Sequence, residues 1–170
     1  INHRQVYWYI IYKSYYYLYH INNYMKYFIT GTRRGLGEAL KLKWTGQCVN
    51  TLEECDVFIN CKHDGFSQVE LLYKAAELGK KVINIGSSGS DWTKGHKKIY
   101  KYGIEKKTLR DVNDQLFWED IDTCIINFGY FDTPRSEHYD GKKMSLQYCI
   151  SIIEWVLKQK HRVKEITICP

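Results

Sequence analysis

The stretch Met25-Lys26-Tyr27-Phe28-Ile29-Thr30-Gly31-Thr32-Arg33-Arg34-Gly35-Leu36-Gly37 decides the architecture of this 170-residue chain. A short apolar run ends at Thr30 in a glycine-rich turn. The turn passes straight into a helical pattern carried by Leu36, Ala39 and Leu40. Strand, glycine turn and helix in that order form the cradle used for a nucleotide pyrophosphate. Glycines let the backbone approach the phosphates, and the free N–H groups and dipole of the helix favour negative charge there. The glycines fall as G-x-x-x-G-x-G, so Gly31, Thr32, Arg33, Arg34, Gly35, Leu36 and Gly37 are the candidate cofactor-binding residues.

From Met25 onward, strand-like and helix-like segments alternate, which predicts an α/β fold. The expected form is a Rossmann-like, doubly wound parallel sheet of about six strands in three α/β/α layers. Strand Lys26–Thr30 is expected near the sheet centre. The other strand candidates are Gln47–Asn50, Val57–Cys61, Lys81–Ile85, Thr123–Asn127 and Glu165–Cys169. Helices are expected over Leu36–Trp44, Ser67–Leu78, Tyr102–Trp118 and Met144–Lys158. Ser67 and Glu70 have the spacing of a capping box. The inward stripes read as Val69, Leu72, Tyr73 and Ala76; as Ile104, Thr108, Val112 and Leu116; and as Leu146, Cys149, Ile150, Ile153 and Leu157.

Residues 1–24 have a different character. They hold eight of the fifteen tyrosines and no acidic residue. They lack the apolar core and cleavage site of a signal peptide, and tyrosines and Lys13 interrupt any membrane span. The expectation is a non-native or disordered extension, with Met25 the start and 25–170 a single nucleotide-binding domain. The net charge of +6 suits a phosphorylated ligand. The basic residues form no dense arm, so neither nucleic acid nor membrane is the expected partner. The six cysteines, Cys48, Cys55, Cys61, Cys124, Cys149 and Cys169, include no C-x-x-C pair. They read as free thiols of a cytoplasmic protein, with no metal site.

A second constellation carries chemistry. Strand Lys81–Ile85 leads into Gly86-Ser87-Ser88, and Tyr102 and Lys106 stand four apart at a helix start. A tyrosine titrating near 10 is a poor base at neutral pH, and an adjacent ammonium favours its phenolate. Such a tyrosine can exchange a proton with a substrate oxygen that a serine hydroxyl also holds. The pairs Tyr9/Lys13 and Tyr139/Lys143 share the spacing, but neither follows a serine-bearing strand end. Tyr100 has Ile104 at the matching offset.

These segments, in this order, resemble the short-chain dehydrogenase/reductase family over nearly all of Met25–Pro170. TGTRRGLG matches its TGxxxGxG motif. Val57–His63 resembles the strand ending in NNAG, with Asn60 on the first Asn. Val82–Ser87 resembles the strand carrying the catalytic serine. Tyr102 and Lys106 match YxxxK. Ile126–Thr133 resembles the N-x-PG-x-x-x-T segment, with Phe128 in place of the proline. The resemblance implies catalytic roles for Ser87, Tyr102 and Lys106. It implies cofactor contacts at Asn60, Tyr102, Lys106 and Thr133, the last at the nicotinamide carboxamide. It implies hydride exchange between a nicotinamide cofactor and a small carbonyl or alcohol.

The departures are informative. About twenty residues separate Gly37 from Val57, where the family has a further strand and helix, so one strand is expected to be missing. Helix Ser67–Leu78 holds no Asn to match the family's fourth catalytic residue, and the region after Thr133 is short. A dinucleotide-binding sensor or regulatory module of the same fold therefore stands as the alternative. After the second strand, where NAD binders place an acid, the chain has Asn50. Arg33 and Arg34 offer guanidinium forks to a 2′-phosphate, which favours NADP over NAD. Leu71, Leu116 and Phe117 are more apolar bulk than one inward face needs. They leave open either ordinary core or, as the resemblance implies, a homodimer through the second and third helices.

Overall fold

The computed structural model describes residues 25–92 and 101–170. The extension 1–24 with its Tyr9/Lys13 pair, and residues 93–100 with Tyr100, lie outside the described residues. Five strands form one parallel sheet in the order β1-β2-β3-β4-β5. They are β1 (Tyr27–Ile29), β2 (Val57–Asn60), β3 (Lys81–Ser87), β4 (Thr123–Phe128) and β5 (Glu165–Ile168). The helices are α1 (Leu36–Lys43), α2 (Ser67–Glu77), α3 (Lys101–Trp118) and α4 (Leu146–Leu157). α1 packs with α4 on one face of the sheet, and α2 packs with α3 on the other. This is the doubly wound α/β arrangement expected from the alternation of elements.

Two expectations are corrected. Among the described residues the sheet has five strands rather than about six, and β1 lies at its edge, not at its centre. Residues 44–56 must return the chain from α1 to β2 and are too few for another strand and helix. The expected strand Gln47–Asn50 is reduced to a single bridge between Cys48 and Tyr27. Tyr27 N–H donates to the Gln47 carbonyl, and Val49 N–H donates to the Tyr27 carbonyl. This stub covers an edge that would otherwise show unpaired backbone groups.

The α1/α4 side is dry. Ile59, Ile83, Ile85, Cys124, Ile126 and Phe128 meet Leu36, Leu40, Cys149, Ile150, Ile153 and Val156 there. The inward residues expected on α4 are the ones found, flanked by partly buried Leu146 and Leu157.

The α2/α3 side corrects two stripes. α2 buries Gln68, Leu72 and Ala75, while Tyr73 is exposed. α3 buries Gly103, Lys106, Leu109, Asn113 and Leu116, while Ile104 is half exposed. Both helices are rotated from the apolar reading because polar side chains point inward and find partners there. The capping box also fails. Ser67 is already helical, and Phe66 holds the cap position with no side-chain bond. Leu71 and Leu116 join the core, and the Arg162 guanidinium covers Phe117.

Candidate active site

The C-terminal ends of β1, β2, β3 and β4 open onto one rim, where the loops that follow them meet. After β1, Gly31 and Gly35 adopt φ of 75° and 69°, a region that L side chains rarely enter. Gly37 is required for a different reason. A Cβ there would come within 2.5 Å of the Gly31 carbonyl oxygen, so helix and turn touch backbone to backbone. Gly35 occupies the N-cap position of α1 and supplies no side-chain cap, so the start of that helix faces the glycine turn. Thr30 fastens this turn to the next strand, its Oγ1 accepting from Cys61 N–H at 2.9 Å and Lys62 N–H at 3.0 Å. Arg33 and Arg34 are exposed, with no ion-pair partner among the described residues.

Thr133, a hundred residues on, reaches the same turn. Its Cγ2 lies 3.3 Å from where a Gly35 Cβ would stand. Thr133 and Ser136 cap a short 3-10 turn reciprocally, which holds that threonine in place. The glycine turn and Thr133 are therefore neighbours.

Ser87 ends β3, and its Oγ accepts from Gly89 N–H at 3.1 Å. Tyr102 and Lys106 lie in the first turns of α3, on one face. Lys106 Nζ stands 5.7 Å from the Tyr102 ring centroid. It donates at 2.7 Å both to the Ile85 carbonyl, two residues before Ser87, and to Gln68 Oε1. The ammonium is almost wholly enclosed. Burial pushes the Cys61 thiol up to about 11, although Lys106's charge and the Gly37 N–H both act to lower it. That pull places Lys106 close to the end of β2 and to the glycine helix. Tyr139, of the other described Tyr-x-x-x-Lys pair, stacks on Tyr130 at 3.8 Å outside any helix.

Asn60 is fully buried, and its amide is used inside the protein. Its Nδ2 donates to the Gln68 carbonyl and to Asn84 Oδ1. Asn84 Nδ2 continues to Asn113 Oδ1 and Thr123 Oγ1. Gln68 Nε2 ties back to the Asn60 and Ile85 carbonyls. This lattice joins β2, β3, β4, α2 and α3 beneath Lys106. A Cβ on Gly86 would overlap Asn127 Oδ1, so the glycine before Ser87 is demanded by space.

Three residues of this region escaped the sequence reading. Gln68 lies unremarked between Ser67 and Glu70, and Glu105 lies unremarked inside the Tyr102–Lys106 spacing. His63 occupies the last position of the segment compared with NNAG. Their association spans 38 and 42 residues, which no local pattern signals. Among the described residues no group of three His, Cys, Asp or Glu could hold a metal ion. No described helix is long and apolar enough to cross a membrane.

No protein-family model and no curated protein matches the sequence. Solved structures do match the fold. A short-chain dehydrogenase from Burkholderia cenocepacia J2315, in complex with NADP, superposes at a TM-score of 0.66 and 11% identity, covering 85% of this chain and 95% of that one. The 3-alpha-hydroxysteroid dehydrogenase from Pseudomonas sp. B-0831, complexed with NADH, gives 0.63 and 13% over 85% and 95%. An alcohol dehydrogenase from Thermococcus sibiricus, complexed with 5-hydroxy-NADP, gives 0.62 and 16% over the same shares.

Proposed function

We propose that this chain, which has the fold of the short-chain dehydrogenases/reductases, is an NADP-dependent oxidoreductase acting on a small carbonyl or alcohol. The observation that carries the reading is the convergence on one rim of a glycine turn, Thr133, Ser87 and the Tyr102–Lys106 pair. The groups come from separate loops, and each has the chemistry the reaction needs.

The residues fit a dinucleotide. Gly31, Thr32, Gly35, Leu36 and Gly37 would hold the pyrophosphate against the uncapped start of α1. Arg33 and Arg34 are placed to pair with a 2′-phosphate, and Thr133 stands beside the turn for the nicotinamide end. Asn60 supports the rim by locking β2 to β3. A bound nicotinamide would supply or accept the hydride. Ser87 Oγ hydrogen-bonds the substrate oxygen and orients it. In the reducing direction Tyr102 gives its hydroxyl proton to that oxygen. The Lys106 ammonium stabilises the phenolate left behind.

A second reading is favoured by one observation. Lys106 is drawn into the amide lattice through Gln68 and the Ile85 carbonyl, which suits a protein that holds a dinucleotide as a sensor or regulatory module without turning it over. Titration of NADPH and NADH against tryptophan fluorescence, followed by NADPH oxidation with a panel of aldehydes, ketones and quinones, separates the two. The enzyme reading expects tighter NADPH binding and measurable oxidation. It also expects Tyr102→Phe to lower turnover by roughly 10²-fold or more with NADPH affinity intact. Binding without oxidation supports the module, and no binding of either cofactor overturns both.

A further inference from the structure

Lys106 and His63 stand on different sides of Tyr102. On one side stands Lys106. It donates to Gln68 Oε1 and to the Ile85 carbonyl, both neutral and enclosed. Behind them run Asn60, Asn84, Asn113 and Thr123, none of which can take up or release a proton at ordinary pH.

On the other side stands His63, in the loop after β2. Its ring meets the Tyr102 ring edge-on, with centroids 4.7 Å apart. Its Nε2 lies 2.6 Å from Glu105 Oε2, on the same helix as Tyr102. The side chains of His63 and Glu105 are 16% and 14% exposed, so the pair is sheltered yet touches water. An ionised carboxylate only accepts, so the Nε2 proton points at Glu105. This leaves Nδ1 as the nitrogen that gains and loses a proton. The other charged groups nearby are Lys106 on α3, and Lys62 and Asp64 on the loop, which pair with each other.

We propose that His63, held by Glu105, is the residue through which Tyr102 exchanges its proton with solvent. The inference rests on the oxidoreductase reading for the role of Tyr102. In carbonyl reduction the hydride reaches the substrate carbon while the O–H bond of Tyr102 breaks and its proton goes to the substrate oxygen. The phenolate then takes a proton from the His63 imidazolium, which regains one from water. Alcohol oxidation runs the same transfers in reverse. His63 acts through Tyr102 and not on the substrate.

Two measurements test this. The first uses the unliganded protein. The His63 Cε1–H resonance, followed by NMR against pH, should show a second inflection when Tyr102 ionises, and Tyr102→Phe should remove it. A resonance blind to Tyr102 overturns the inference, whatever the catalytic result. The second uses His63→Phe, which keeps an aromatic edge against Tyr102. The first turnover draws on the proton Tyr102 already carries, so its rate should be unchanged. Steady-state turnover should fall by at least about tenfold, and added imidazole should restore it. Glu105→Gln, which keeps the volume of the side chain, should also slow steady-state turnover alone. Equal losses in both phases, or no response to imidazole, would show that His63 only packs. If the wild type reduces no carbonyl while the NMR coupling is present, the oxidoreductase reading fails and the proton contact between His63 and Tyr102 stands.

Discussion

The two faces of the sheet are built by different rules. On the α1/α4 face nearly every inward group is aliphatic or aromatic, and contact alone joins strand to helix. On the α2/α3 face a smaller apolar cluster around Phe58, Leu72, Val82, Leu109 and Ile125 is interrupted toward the rim by Asn60, Gln68, Asn84, Lys106 and Asn113. The amides of this second face bond to one another and offer oxygens to an ammonium, while Asn60 Oδ1 has no hydrogen-bond partner among the described residues. A dry face can only stabilise. A face carrying a polar lattice can also fix a charged side chain beneath a reaction site, because hydrogen bonds have direction where hydrophobic contact has little.

That contrast predicts different consequences for substitutions on the two sides. Asn84→Leu should have the largest effect. It strips a partner from the buried Asn60, Asn113 and Thr123, and leaving buried polar groups unpaired should cost about 3 kcal/mol of unfolding free energy. It should also weaken NADPH binding several-fold, since Asn60 and Gln68 hold the rim together. Denaturant unfolding and fluorescence titration of the same variant give both numbers. Lost stability with unaltered affinity would break the contrast. Gly86→Ala comes next, at about 2 kcal/mol, because the new methyl overlaps Asn127 Oδ1 and lies 2.9 Å from Ile125 Cγ1. Tighter melting would show that the sheet relaxes around it.

On the dry face, Ile150→Val removes one buried methylene and should cost about 1 kcal/mol. NADPH affinity should stay the same, and a large loss of binding would show that this face also shapes the site. The smallest effect at neutral pH belongs to the thiols of that face. Burial pushes Cys149 up to about 11 and Cys124 up to about 12, from 9.0. The folded state holds those protons after the unfolded chain has lost them. Their stabilisation is complete below about pH 9 and declines as pH rises toward 11 and 12. Melting temperature measured against pH should fall along this range, and Cys149→Ala should flatten the decline.

The legibility of the chain follows the same division. The element order, the glycine turn and the apolar stripe of α4 could be read directly, because a helix that packs on hydrocarbon alone repeats its apolar residues at its own period. Ser87, Tyr102 and Lys106 could be nominated from their spacing and strand-end positions, and Thr133 from the family resemblance. Ile104 falls on the expected inward stripe yet is half exposed, and Gln68 gives no signal of its burial, because an apolar pattern cannot mark a buried amide or ammonium whose partners lie on other elements.

The residues from Met25 to Gly37 by themselves determined a strand, a tight turn and an uncapped helix, since positive φ and backbone contact at Gly31, Gly35 and Gly37 are local demands. The alternation of elements determined a parallel sheet. Only the tertiary structure decided that β1 is an edge, that Lys106 is anchored by Gln68, and that His63 and Glu105 flank Tyr102. Each of these joins residues far apart in sequence. Directional bonds between such groups are chosen by how the elements pack, and the local pattern around either partner carries no record of that choice.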